Sequence, residues 1–490
     1  MQTQIRRVGL GLVIAFLAVF LQLNYVQIFA AEDIAGNNAN IRGLIREYSI
    51  KRGDILTLDG KPVAVSKATK DKLKYLRTYP GGDLFGHITG FYSVVYGEDR
   101  IERSFHEQML GEAGVLSMQD IQDRFLGSEE RGDDVRLTVD SRLQEASRRA
   151  LGSERGAIVA INPQNGEIKA MWSNPSYDPT LLASHDGRKA RRYWKSLRPK
   201  SPLSPLISLS TSRLYPPGST FKVVTAAAAL ESGKYDRDST FPDPAQLDLP
   251  LTNETLTNFT KTSCAGGGQI DLFNAMRISC DTTFGILGLD IPGELLDMSE
   301  KLGFNERLPI EVSSATSDYP DIPDESAPLR AFSAIGQGDT SATPLQMALV
   351  GAAVANGGEV PKPHLVREVT DAAGGPVRKF GDESLGRAMS APTANILTEM
   401  MVLVVEAGTG TAAQISGIEV AGKTGTAQTG REGENPHTWF IAFAPARNPQ
   451  IAVAVIVENG GSFGSEATGG AVAAPIAKAV MEADRRLSRW

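Results

Sequence analysis

The chain carries only two cysteines and five histidines in 490 residues. His87, His106, His185, His364 and His437 are scattered, no His-Glu-x-x-His occurs, and neither cysteine sits at a metal-ligand spacing. This argues against a metal enzyme, and the sequence implies no metal and no cofactor. Excess positive charge is also missing: 50 Lys and Arg face 57 Asp and Glu, for a formal charge of −7. Nucleic-acid readers concentrate Lys and Arg on one face, so no nucleic-acid partner is expected. The 49 glycines and 27 prolines follow no collagen-like period, and no internal repeat is found.

What is present describes a globular protein of more than one domain. An apolar fraction of 41% and a charged fraction of 22% are ordinary, and 490 residues exceed what one compact core accommodates. Arg6 and Arg7 precede an apolar stretch from Val8 to Phe20, a mixed stretch runs on to Ala31, and Glu32 and Asp33 close it. As one helix, residues 8–31 span about 36 Å at ~1.5 Å per residue, enough for a hydrocarbon core of ~30 Å. Gln22, Asn24 and Gln27 weaken its outer third. The expectation is a cytoplasmic tail (1–7), a single-pass anchor in the cell membrane (8–31) and an extracytoplasmic remainder. The competing reading is a signal peptide cleaved near Ala30 or Ala31.

Cys264 and Cys280 then lie in a compartment where disulfides persist. Their separation of 16 residues makes a closed loop worth about 3 kcal/mol in the chain-entropy model. Sequence leaves open whether their side chains face each other.

Residues 32–150 mix short β-like runs with turns, as in Gly53 to Leu58 before Asp59-Gly60. A helix capped by Asp140 or Ser141 follows, with Leu143, Ala146, Ala150 and Leu151 on one face. From Gly156, two apolar runs separated by Asn, Pro and Gly predict a β-hairpin. Further on, the pattern predicts a helix over Phe221 to Leu230. A second starts with a capping box at Thr343-Pro344-Leu345-Gln346, and a third covers Thr393 to Ala407. Strand-like runs at Val420 to Ala427, Trp439 to Ala444 and Ile451 to Val457 precede a closing helix over Gly470 to Leu487. Strands, then helices, then strands again predict a mixed α+β domain over 151–490.

Ser219 and Lys222 stand one helical turn apart where a helix begins, the spacing a nucleophile and its base need. A lysine accepts a proton near neutral pH only if its pKa of ~10.4 is pulled down by burial or by neighbouring positive charge. Alone the pattern says little, because a capping Ser beside a solvated Lys is commoner. Two later patterns give it weight: Ser279-Cys280-Asp281 before a helical stretch, and Lys423-Thr424-Gly425-Thr426-Ala427 in a strand-like run. Ser-x-x-Lys, Ser-x-Asn and Lys-Thr-Gly in that order mark β-lactamases and penicillin-binding proteins.

Residues 156–179, Tyr215 to Lys222 (YPPGSTFK) and Ala334 to Gly338 (AIGQG) resemble segments of class B penicillin-binding proteins. Arg42-Gly43, Arg52 to Ile55, Asp59-Gly60, Gly97 and Ile101-Glu102 resemble the non-catalytic domain of that class. The likeness is greatest to the penicillin-binding protein A type of actinobacteria. It implies a serine β-lactamase/transpeptidase-like domain over 151–490, an antiparallel sheet flanked by helices with an all-helical subdomain. A smaller extended β-containing dimerisation or pedestal domain over 32–150 and one transmembrane helix precede it.

The implied activity is a peptidoglycan D,D-transpeptidase that crosslinks stem peptides through a Ser219 acyl-enzyme and is acylated by β-lactam antibiotics. By the resemblance, Lys222 is the base, and Ser279 returns a proton to the leaving amine with help from Lys423. Thr424 helps bind the substrate carboxylate, and the Ser219 and Thr426 N–H groups form the oxyanion hole. A glycan-polymerising glycosyltransferase is then a separate partner, since residues 32–150 show no second catalytic constellation.

Asp281 departs from the family's Asn. A carboxylate about 4 Å from Lys222 favours the ammonium by roughly 4 kcal/mol at an effective dielectric of about 20, some three pKa units in the wrong direction for a base. The sequence leaves three outcomes: Asp281 turns away, is protonated, or is compensated by Lys423. Rival readings are a D,D-carboxypeptidase or β-lactamase with water as acceptor, and a non-catalytic scaffold or penicillin sensor. Gly417 to Thr424 also fits the phosphate-loop pattern G-x-x-x-x-G-K-T. No helix can follow it directly through Gly425, Gly430, Gly433 and Pro436, which argues against an NTPase.

Overall fold

The computed structural model describes residues 2–28, 42–111, 131–323, 325–431 and 433–490. Helix α1 (Gln2–Ile28) contains a 20-residue apolar span, Arg6–Tyr25, of mean hydropathy 2.0 with none of it buried in the protein. Among the described residues it is the one helix long and apolar enough to cross a membrane. Asn24 Nδ2 donates to Phe20 O (2.8 Å) one turn back, so one N–H of this polar side chain is satisfied within the helix. Ala30, Ala31, Glu32 and Asp33, on which the cleavage site and outer flank were read, lie outside the described residues.

Six short strands form the first sheet: β1 (Ile55–Leu56), β2 (Pro62–Ala68), β3 (Tyr75–Thr78), β4 (Asp134–Leu137), β7 (Val366–Thr370) and β8 (Pro376–Lys379). Their spatial order is β8-β7-β4-β1-β2-β3. The alternating run from Gly53 to Leu58 contributes only Ile55–Leu56 to pairing. Asp59 instead serves the next element, accepting from Ser141 N–H (2.9 Å) and Oγ (2.8 Å). Below β1, Glu102 is fully buried between Arg52 Nε and Arg77 Nε, both at 2.7 Å. Arg77 Nη1 also donates to Gly53 O (2.7 Å), so the cluster ties strands to a helical turn.

The second sheet is antiparallel and runs β9-β10-β11-β5-β6. It comprises the predicted hairpin β5 (Gly156–Ile161) and β6 (Ile168–Asn174), with β9 (Ala421–Ala427), β10 (His437–Ala444) and β11 (Ile451–Val457). Every residue of β5 and β11 is buried, which explains their unbroken apolar runs. Alternate residues feed two cores. Ala157, Val159, Ile161, Ala452, Ala454 and Ile456 face the helical layer. Ile158, Ala160, Val453 and Val455 face helix α2 (Ser141–Leu151) and the closing helix α10 (Ala473–Ser488).

The helical layer holds α3 (Lys222–Glu231), α4 (Leu272–Ile278), α5 (Asp281–Asp290), α6 (Pro292–Lys301), α7 (Ala327–Ala334), α8 (Pro344–Ala355) and α9 (Ala391–Ala407). The first eight residues of α3 are all buried, and its alanines let neighbouring helices approach closely. The capping box expected at α8 is only half made. Thr343 Oγ1 accepts from Gln346 N–H (3.1 Å), but Gln346 Nε2 donates to Leu302 O (2.7 Å) and Thr343 N–H to Ser317 Oγ (3.1 Å). A buried glutamine at this position is drawn to the orphan carbonyl ending α6.

Candidate active site

The nucleophile turn is fixed from three sides. Tyr215 and Ala342 exchange backbone hydrogen bonds (3.0 and 2.8 Å), Trp439 Nε1 donates to Pro216 O (3.0 Å), and Tyr215 O–H donates to Glu458 Oε1 (2.7 Å). Gly218 opens a 3-10 turn at φ +54°, a left-handed conformation that costs glycine little. Ser219 occupies the middle of that turn, half-buried, and Lys222 is the first residue of α3. Gly336, from the AIGQG segment, backs the turn: its carbonyl accepts from Gly218 N–H (2.8 Å), and a Cβ there would lie 2.3 Å from Gly218 O.

Strand β9 is an edge of the second sheet and forms the opposite wall. Lys423, Thr424 and Gly425 lie across from Ile441, Phe440 and Trp439. A Cβ on Gly425 would come within 3.0 Å of Pro217 O, so the missing side chain lets strand and turn touch. A Cβ on Gly218 would sit 3.0 Å from Thr426 O. The peptide edge of Thr426 therefore faces the nucleophile turn, and in a strand N–H and C=O of one residue share that edge. The phosphate-loop reading of Lys423-Thr424 fails here, because both lie inside a strand that continues to Ala427.

Ser279 and Asp281 come from a sharp helix junction. Ser279 ends α4 at φ +64°, an uncommon conformation for a residue with a side chain, and Asp281 begins α5. Lys222 Nζ donates to Ser279 O (2.8 Å), Ser279 Oγ (3.2 Å) and Asp281 Oδ1 (2.6 Å). Lys423 Nζ donates to Ser279 Oγ (2.8 Å) and Thr424 O (2.9 Å). Asp281 Oδ2 accepts from Phe259 N–H (3.1 Å), and the first turn of α5 suits its negative charge. Asp281 therefore does not turn away. Both lysines are fully buried, and burial pushes their pKa values down. For Lys222 desolvation outweighs the pull of Asp281, so the net direction reverses the one estimated from charge alone. For Lys423, desolvation and the repulsion of Lys222 together place it well below the usual lysine range, with Asp281 opposing.

Cys264 and Cys280 are joined in a disulfide with Cα atoms 5.9 Å apart, which pins the loop beside the Ser279–Asp281 junction. Asp243 lies against this bridge and accepts from the N–H groups of Cys264 (2.8 Å) and Gly267 (3.0 Å). Three contributors carry no motif. Thr409 Oγ1 bonds Thr424 Oγ1 (2.6 Å), Phe259 N–H holds Asp281, and Gly469 packs where a Cβ would strike Gly425 N at 2.8 Å. None of the three was singled out from the sequence.

A sheet covered on both faces, with Ser-x-x-Lys at a helix start and Lys-Thr-Gly on the adjoining edge strand, has counterparts among known proteins. The penicillin binding protein transpeptidase domain family matches residues 156–482, and the penicillin binding protein A dimerisation domain matches residues 52–135. The chain belongs to the penicillin-binding protein transpeptidase family. Within it, the chain is 38% identical to peptidoglycan D,D-transpeptidase PbpA of Mycolicibacterium smegmatis and 37% identical to PbpA of Mycobacterium tuberculosis. Each match covers 99% of both chains. The structure of penicillin-binding protein A from M. tuberculosis as a ceftriaxone acyl-enzyme complex superposes with TM-score 0.84 at 37% identity, over 90% of this chain and 99% of that one. Its penicillin G acyl-enzyme complex gives 0.83 over 89% and 100%.

Proposed function

We propose that this chain is a membrane-anchored peptidoglycan D,D-transpeptidase that works through a Ser219 acyl-enzyme. The observation that carries the reading is Ser279 Oγ held between Lys222 and Lys423, beside the Ser219 turn. Ser219 attacks the penultimate D-Ala carbonyl of a donor stem peptide, and Lys222 takes its proton. Charge on the carbonyl oxygen meets the N–H groups of Ser219 and Thr426, each such donor worth about 3 kcal/mol. Ser279 and Lys423 return a proton to the departing D-Ala amine, while Thr424, oriented by Thr409, receives the substrate carboxylate. Gly425 keeps the wall flat against the turn. The amine of a second stem peptide then resolves the ester. β-Lactams enter as pseudo-substrates and stay.

The same reading divides the chain into tail (1–7), anchor (8–31), pedestal (32–150) and transpeptidase domain (151–490), the last two outside the cytoplasmic membrane. Glycan polymerisation falls to a separate glycosyltransferase. The test is fluorescent penicillin applied to the full chain in detergent, with mass spectrometry of the labelled peptide. Stable label on the peptide containing Ser219, absent in Ser219→Ala, supports the reading. Rapid loss of label points to a β-lactamase, and absence of any label to a scaffold. Assay with polymeric substrate separates crosslinking from carboxypeptidase action.

A further inference from the structure

The two buried lysines cannot be treated alike. Lys222 Nζ has three hydrogen-bond acceptors, Ser279 O, Ser279 Oγ and Asp281 Oδ1, one for each proton of an ammonium. Lys423 Nζ has two neighbours, Thr424 O and Ser279 Oγ. Ser279 Oγ in turn has two polar neighbours among the described residues, and both are lysine nitrogens. A hydroxyl carries one proton and must direct it somewhere. If both lysines were ammonium ions, neither could accept that proton, and the half-buried Ser279 would have to direct it to solvent. If Lys423 is a neutral amine, its lone pair takes the Ser279 O–H and one of its two N–H groups serves Thr424 O, which leaves a single N–H for solvent where two ammonium ions would leave both a Lys423 N–H and the Ser279 O–H. One carboxylate, Asp281, then balances one ammonium, Lys222, instead of facing two buried positive charges.

We infer that the resting site holds Lys222 as the ammonium and Lys423 as the neutral amine, and that Lys423 is the proton acceptor that arms Lys222 through Ser279. This rests on the transpeptidase reading given above and assigns the strand lysine a role beyond that of a fixed cation. The depressed pKa of Lys423 agrees with it.

The transfer balances. A Lys222 N–H proton passes to Ser279 Oγ as the Ser279 O–H proton passes to the Lys423 lone pair. Lys222 becomes an amine, Lys423 an ammonium, and Ser279 is unchanged. Rotation about the Lys222 Cε–Nζ bond turns the new lone pair to Ser219, whose O–H proton moves to it as Oγ bonds the acyl carbon. After acylation the same hydroxyl carries the proton of Lys423 back to the leaving nitrogen. The apparent conflict between Asp281 and a basic Lys222 disappears, since Asp281 stabilises only the resting state.

The test is the rate constant of benzylpenicillin acylation against pH, measured on the full chain in detergent. The charged groups facing Lys423 are Lys222 and Asp281. Lys423→Arg keeps a cation that cannot accept a proton. The expected result is a loss of on the order of 100-fold at neutral pH, with the acid limb displaced to higher pH. Adding Asp281→Asn to Lys423→Arg removes the charge that holds the proton on Lys222 and restores about tenfold or more. Lys423→Arg acylating at the wild-type rate with an unmoved limb overturns the proposal.

Because arginine at a fully buried position can disturb folding, the charge is also read directly. The ¹⁵N side-chain signal of Lys423 in lysine-labelled wild type, assigned with Lys423→Met, is that of an amine at pH 7. An ammonium signal overturns the proposal. Failure of wild type to form any Ser219 adduct instead defeats the transpeptidase reading and leaves the NMR result to stand by itself.

Discussion

Lys222 Nζ lies 2.6 Å from Asp281 Oδ1, yet Lys222 still titrates below the ordinary lysine range because its side chain is fully buried. Proximity alone would have ranked the carboxylate as dominant. Removing an ammonium from water costs several kcal/mol, comparable to what one close counter-ion returns. The first prediction follows. Asp281→Asn changes the penicillin acylation rate by less than tenfold, because Lys423 accepts the proton of Lys222 through Ser279 during acylation whether or not the carboxylate is there. Stopped-flow acylation measures it, and a gain above tenfold would mean that no such relief operates.

Lys423 carries a cost in stability that its function explains. Its pKa in the folded protein lies well below the 10.5 of an unfolded chain, and with Lys423 as the neutral amine inferred above, folding releases a proton at neutral pH. The sign is that of a lowered base. The penalty is absent above pH ~10.5, grows as pH falls from there, and is complete below the folded value. Lys423→Met is therefore expected to raise Tm at pH 7 and to lose that advantage toward pH 10, while acylation is lost. Calorimetry across that range checks it; a Tm below wild type at pH 7 would count against it.

Gly336 sets how closely the AIGQG segment approaches the nucleophile. Its φ of +72° and the 2.3 Å from a built Cβ to Gly218 O leave alanine no room. Gly336→Ala is expected to cost about 3 kcal/mol of stability and to slow penicillin acylation by on the order of 100-fold. Unchanged labelling kinetics would show that the turn tolerates displacement.

Glu102 is the one carboxylate bridging Arg52 and Arg77 in the buried cluster under the first sheet. Glu102→Gln leaves both guanidinium groups short of a counter-ion and is expected to destabilise the protein by about 3 to 5 kcal/mol. Replacing it touches nothing at Ser219, so penicillin acylation by the folded fraction should be unchanged. Thermal unfolding read beside labelling rate separates the two effects.

Much of this architecture was legible because local patterns and tertiary demands agree. Strands β5 and β11 of the second sheet are apolar or Gly throughout because both faces are covered, and Ile451 to Val457 matches its strand to the residue. Ser219, Lys222, Ser279 and Lys423 were singled out by motif order, and Lys222 and Lys423 meet at the Ser279 hydroxyl. What escaped reading depends on space, not pattern. Thr409 reaches Thr424 from the end of a distant helix, and Phe259 meets Asp281 through a backbone N–H that any residue would offer. Gln346 looks like half of a capping box until the carbonyl of Leu302 is brought beside it. The direction of the Lys222 shift needed its burial, which no spacing reveals.

Strand β7 pairs with β4, joining Val366–Thr370 to Asp134–Leu137. The chain is made from its N-terminus, so β4 leaves the ribosome long before its neighbour exists. Roughly 230 residues must follow, a wait on the order of 10 to 50 s at about 5–20 residues per second. Throughout that interval one edge of the nascent sheet is open to any passing extended segment. Assembly of the first half of this molecule is thus timed by synthesis of the second.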